Sequence, residues 1–209
     1  MSSSLRAAPM SDDLLQIIYD NDQALYPAPL PFERLRSWRD ACPELSILCQ
    51  VAGPDQPIDV GAIIVMPLLR SHWQALLVGR QKETDVAASM FASAQTEGVE
   101  VGLHIFHVER FEGNQAVRGL TKLALDLVAE IVKTKSWKVV GHSALTASES
   151  GRAVFDRLGY RPTGYDEIFV RNAEGELDLR CFGPQDTEQV GTNEIIESRS
   201  RMVVKYMSD

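Results

Sequence analysis

The stretch from Val99 to Tyr160 restricts the architecture more than any other part of the chain. It opens on VEVGLHIFHVERF, a run of strand composition, and passes through the polar loop EGNQAVRG into LTKLALDLVAEIVK, whose apolar residues recur at helical spacing. WKVVGHSAL reads as a second strand and SESGRAVFDRLGY as a second helix. Two strands joined through a helix lie parallel or nearly so, because a parallel pair needs a crossover of a dozen or more residues. The loop entering the first helix is where such units hold anions. The first N–H groups of a helix lack intrahelical partners, and the helix dipole adds positive potential there.

The 209 residues suit a single domain over 1–209, with a helical insertion at about 70–95 and a polar loop at about 183–200. A formal charge of −8 and a pI near 5.1 argue against nucleic acid or an anionic membrane as partner. No apolar run reaches the roughly 18 residues of a membrane span. The start, MSSSLRAAPMSDD, has no apolar signal-peptide core, so a cytoplasmic location is expected. Cys42, Cys49 and Cys181 show no paired spacing and read as reduced thiols, and the four histidines form no zinc motif, so no metal is expected.

Ser11 before Asp12 and Asp13 is a helix start, followed by the stripe Leu14, Leu15, Ile17 and Ile18. Three prolines in YPAPLP break the chain before the short helix FERLRSWRDA, which stops at Cys42–Pro43. SILCQV and DVGAIIVMPL read as a hairpin, the second strand central because it is apolar on both faces. Within 70–95, Ser71 is expected to cap HWQALLVG and Asp85 to cap VAASMFAS. This insertion is either core cover or one wall of a substrate pocket. TGYDEIFVR, LDLRCF and RMVVKYM complete a mixed α/β sheet of six to seven strands with helices on both faces.

Three places in this layout resemble the GCN5-related N-acetyltransferase (GNAT) superfamily. GRAVFDRLGYRPTG, with Gly151, Phe155, Gly159 and Tyr160, resembles the family's closing helix and the Gly-aromatic pair after it. The strand, loop and amphipathic helix of the opening stretch resemble its acetyl-CoA motif. CPELS before a strand, with VGAII in the next, resembles the same string in animal arylalkylamine N-acetyltransferases. The family's phosphate loop, Gln/Arg-x-x-Gly-x-Gly/Ala, is not matched in either register, Gly113 to Arg118 or Asn114 to Gly119. Arg118 could offset a poorer amide cradle by pairing with a phosphate directly.

The resemblance implies acetyl-CoA, or another acyl-CoA, as cofactor. It places the cofactor on the backbone of Phe106, His107 and Val108, on Gly113, Asn114, Gln115, Ala116, Val117, Arg118 and Gly119, and at Ser148. The chemistry needs a neutral amine, a stabilised oxyanion and a proton for the leaving thiolate. His104, which aligns with the second histidine of the arylalkylamine enzymes' His-x-His pair, is the candidate base; a bystander histidine is the alternative. Glu109 is a second candidate base, since many family members use a strand glutamate. His107 falls on the opposite face by strict alternation, which a bulge would change. His142 either faces the thioester or hydrogen-bonds in the core. The family's proton-donating tyrosine is replaced by Phe155, which leaves Tyr160, Tyr165, Ser148, Ser150 or water as donor. Tyr19, Tyr26 and Trp73 are either core or the walls of a pocket for an arylalkylamine, and acidic residues such as Glu97, Glu100, Asp166 and Glu167 suit an amine or are plain surface.

The resulting expectation is an N-acetyltransferase that passes an acetyl group to a small amine by direct attack in a ternary complex, as a monomer or homodimer. The alternatives are a repurposed scaffold with a different reaction or ligand, and a catalytically silent binding protein.

Overall fold

The computed structural model describes residues 5–27, 29–93, 97–113, 117–187, 191 and 194–207. Strands β1 (Arg6–Pro9), β2 (Ser46–Val51), β3 (Ile58–Leu69), β4 (Glu100–Arg110), β5 (Lys138–Thr146), β6 (Arg161–Arg171), β7 (Leu177–Phe182) and β8 (Ile195–Tyr206) form one sheet. Their order is β1-β2-β3-β4-β5-β8-β6-β7, and β4–β5 is its parallel pair. Helices α1 (Asp12–Leu25), α2 (Phe32–Ala41), α3 (Arg70–Leu77), α4 (Leu120–Lys133) and α5 (Glu149–Arg157) cover it. The crossover read from Val99–Tyr160 is β4-α4-β5-α5, at the centre of the sheet.

Local chemistry sets most boundaries. Ser11 caps α1 by accepting a hydrogen bond from the Leu14 N–H at 3.2 Å. Leu15 and Ile18 are buried, whereas Ile17 is 56% exposed, so the apolar stripe is narrower than the sequence suggests. In α4 the buried residues are Leu120, Ala124, Val128 and Val132, one stripe at four-residue spacing. β3 is buried from Val60 to Leu68, as its two-faced apolar run requires.

Four expectations change. The sheet has eight strands, because RAAP at residues 6–9 pairs with β2 (Ala7 opposite Cys49). Nothing in that composition signals a strand; the free backbone edge of β2 recruits it. β8 begins at Ile195, inside the segment read as loop, because β6 is long enough to pair with it from Arg171 onward. Ser71 caps nothing: α3 starts at Arg70, with Leu69 at the N-cap and no side-chain bond. From Asp85 to Ser93 there is no α-helix. Two 3₁₀ turns, Glu83–Asp85 and Ala88–Met90, replace it. No described helix is long and apolar enough to cross a membrane.

Candidate active site

The site is made where the parallel pair comes apart. β4 and β5 pair from Glu100–Lys138 to Ile105–Ala144, with Val140 skipped between Val101–Val139 and Gly102–Gly141, yet β4 continues to Arg110 and β5 to Thr146. On its other side β4 pairs with β3 with one residue skipped: Val65 opposes Ile105 and Ile64 opposes His107. Such a bulge, at Phe106, bends the strand and resets its alternation. His104 opposes Met66 and His107 opposes Ile64, so both histidines lie on one face of the sheet. This corrects the expectation from strict alternation. Past Ile105, residues Phe106–Val108 have no partner in β5.

That face carries a buried polar cluster. His104 is fully buried; its Nδ1 lies 2.8 Å from Ser143 Oγ and its Nε2 2.6 Å from Glu83 Oε1. Trp73 Nε1, which can only donate, bonds to Ser143 Oγ at 2.8 Å. Ser143 is then free to donate to Nδ1, which leaves the proton on Nε2 to be donated to Glu83. Glu83 is held above the usual carboxylate range first by burial, and also by the charges of Glu167 and Asp22, against the opposing hydrogen bond from His104.

His107 Nδ1 sits 3.0 and 3.1 Å from the two carboxylate oxygens of Asp22 in α1. Its Nε2 is 3.5 Å from Glu109 and has no hydrogen-bond partner among the described residues. Burial alone would lower the pKa of this imidazole. The hydrogen bond to Asp22 and the nearby Glu109 outweigh it and raise the value to about 9, so His107 is a cation at neutral pH. Glu167, 4% exposed, accepts from Tyr26 at 2.6 Å and Tyr165 at 2.5 Å. Burial, then the Glu167 charge, raises both phenols.

A cavity of about 70 Å³ opens beside this cluster at the β4–β5 divergence, lined by Asp22, Tyr26, Trp38, Glu83, Phe106 and Leu145 among others. Glu83 brings the 70–95 segment into the wall of this cavity, while Trp73, Leu76 and Leu77 of that segment are buried in the core. A larger groove of about 860 Å³ is lined by Arg80, Arg161 and Lys205, with Leu77 of the same 70–95 segment and Gly159, but by none of the candidate catalytic or cofactor-binding residues.

The remaining candidates lie elsewhere. His142 opposes Leu103, one position out of phase with the His104–Ser143 pair, and so faces the other side of the sheet. The Tyr160 hydroxyl lies 3.4 Å from its Nδ1. Burial, aided by Lys205, lowers His142 to about 4, and burial raises the Tyr160 hydroxyl. Tyr160 packs edge-on against Phe155, with centroids 4.9 Å apart. Ser148 caps α5 by accepting from the Gly151 N–H at 3.0 Å. Gly119 is the N-cap of α4, with φ 68° and no side-chain cap, and Gly113 has φ 80°. A Cβ at either would meet nothing within 4 Å, so backbone conformation and not crowding selects glycine there. Val117 is half-buried and Arg118 exposed, while Asn114, Gln115 and Ala116 lie outside the described residues. Tyr19 donates to the Leu30 carbonyl and packs on Phe32. Asp166 is tied to Arg201.

Sequence reasoning missed Asp22, Glu83 and Ser143. Asp22 had a signal, for it follows Leu15 and Ile18 at spacings of three and four and is a carboxylate on a buried stripe. Glu83 sits in a 3₁₀ turn without periodicity, and nothing nearby in sequence points to His104.

No protein-family model matches the chain. No curated protein matches it either. Among solved structures it is similar to a chain of the NatC complex bound to Gag peptide and CoA, at 11% identity and TM-score 0.51, covering 98% of this chain and 99% of that one. It is equally similar to the C-terminal condensation domain of Ebony in complex with beta-alanyl-dopamine, at 12% identity and TM-score 0.51, covering 98% and 100%. At such identity the likeness concerns the fold: the chain has the fold of the GCN5-related N-acetyltransferases.

Proposed function

We propose that this chain is an acyl-CoA-dependent N-acetyltransferase that passes an acetyl group to a small amine by direct attack in a ternary complex. One observation carries the reading. The central parallel pair stops at Ile105–Ala144 and opens onto a cavity flanked by Asp22 and Glu83. The unpartnered backbone of Phe106, His107 and Val108 offers an added strand's hydrogen bonds to the amides of a pantetheine arm. The uncapped start of α4 at Gly119, with Gly113, Val117 and Arg118 before it, suits a pyrophosphate, and Asn114, Gln115 and Ala116 complete that loop in sequence. Ser148 stands at the end of β5. The NatC complex bound to Gag peptide and CoA, and the Ebony domain in complex with beta-alanyl-dopamine, support the same chemistry here. Bound acyl-CoA supplies the thioester; the chain orients it and receives the amine. Glu109 and His107 lie on the amine side of the sheet. His142 and Tyr160 serve the packing of the other side, so the proton returned to the thiolate comes from water or the Ser148–Ser150 pair.

The first test is titration with acetyl-CoA. Ligand at a hundredfold its Kd stabilises by about 2.7 kcal/mol, a rise of roughly 5–10 °C for a chain of this size. Arg118→Ala is expected to weaken binding about tenfold, with Tm of the free protein unchanged. An unaltered Kd removes Arg118 from the phosphate site, and absence of binding up to millimolar acetyl-CoA leaves the silent scaffold.

A further inference from the structure

We infer that Glu83 is the general base for the acceptor amine, with His104 as a positioning residue behind it. This rests on the transferase reading above.

Geometry separates the two. His104 has no exposed surface and both ring nitrogens are engaged, by Ser143 and by Glu83. It cannot touch a ligand. Glu83 lines the cavity, its side chain is 12% exposed, and its Oε1 takes the His104 bond while Oε2 takes no hydrogen bond among the described residues. The chain of donors from Trp73 through Ser143 and His104 ends on Glu83 and favours its ionised form. Asp22, the other carboxylate in the wall, already faces the buried His107 cation and is neutralised by it. Glu167 is taken by two phenols. Among the described residues, Glu83 is therefore the acid in this wall that pairs with the His104 ring alone and keeps one carboxylate oxygen unbonded, and its raised pKa brings it nearer to that of a useful base.

In the step, Glu83 takes one proton from the bound ammonium and later releases it to water. The freed nitrogen lone pair attacks the thioester carbon, forming C–N while the carbonyl π pair moves to oxygen. The oxyanion collapses, C–S breaks, and the thiolate leaves with the bonding pair and is protonated through water or the Ser148–Ser150 pair, to which the second nitrogen proton passes. Amide and free thiol result, with one proton released.

The test compares wild type, Glu83→Gln, Glu83→Ala and His104→Gln. Turnover is read as thiol release from acetyl-CoA with a panel of primary amines including 2-phenylethylamine, alongside acetyl-CoA thermal shifts. Glu83→Gln is expected to keep the thermal shift, lose about 10²–10⁴-fold in kcat and lose the acidic limb of the kcat profile. Formate should restore part of the activity of Glu83→Ala. His104→Gln should keep turnover within about tenfold, with that limb moved to higher pH. The groups facing Glu83 are His104 of β4, Asp22 of α1, Tyr26 just after it and Glu167 of β6, with Arg34 of α2 bonded to the nearby Val86 carbonyl; Asp22→Asn keeps the limb, moved to lower pH, if Glu83 owns it. A limb retained in Glu83→Gln but lost in His104→Gln, or a change in KM alone, overturns the assignment while the transferase reading stands. Wild type that neither binds acetyl-CoA nor releases thiol overturns both.

Discussion

Trp73→Ala is expected to cost about 3–5 kcal/mol of stability, lowering Tm by roughly 10 °C or more. The indole is 1% exposed and lies across two glycines facing each other on neighbouring strands, Gly102 and Gly141. A Cβ would come within 2.0 Å of the ring at Gly102 and 2.6 Å at Gly141, so the sheet surface is recessed to seat it. Its N–H holds Ser143, and Tyr206 packs edge-on at 5.7 Å. Truncation leaves a cavity that neither glycine can fill. Trp73→Phe keeps most of the packing and removes the N–H, and should cost about 1–3 kcal/mol. Urea unfolding of both variants is the check; an alanine variant within 1 kcal/mol of wild type would show that the recess collapses freely.

Stability should peak near pH 6.5 and fall on both sides of it. His107 rises from its ordinary 6.5 to about 9 in the folded chain, where Asp22 and Glu109 face it. Its contribution is complete below pH 6.5 and is lost as pH climbs through about 9, about 3 kcal/mol in all. His142 acts in the opposite sense. Its folded value falls to about 4, so the unfolded chain gains a proton that the folded chain refuses, and stability drops as pH falls from 6.5 toward 4. His107→Gln should flatten the alkaline side, and His142→Gln the acidic side between pH 6.5 and 4. Chemical denaturation at pH 5, 6.5 and 9 reads both slopes. An alkaline slope that persists in His107→Gln refutes the buried imidazolium.

The sequence alone determined the crossover. The β4 and β5 runs, the α4 stripe Leu120–Ala124–Val128–Val132 and, outside the crossover, the Ser11 cap are local patterns, since periodicity and caps act within a few residues. The GNAT-type fold was legible for the same reason, together with the short Gly-aromatic string at Gly159–Tyr160. Tertiary structure alone decided which groups meet. Alternation along β4 separates His104 from His107, and the skipped residue opposite β3 reunites them. Glu83 reaches His104 across 21 positions, Asp22 reaches His107 across 85, and Tyr26 reaches Glu167 across 141. RAAP became a strand because β2 had an edge to fill. Backbone propensity is paid for residue by residue and can be read that way, whereas a buried charge is tolerable only beside its partner, and the partner's place is set by the packing of the whole sheet.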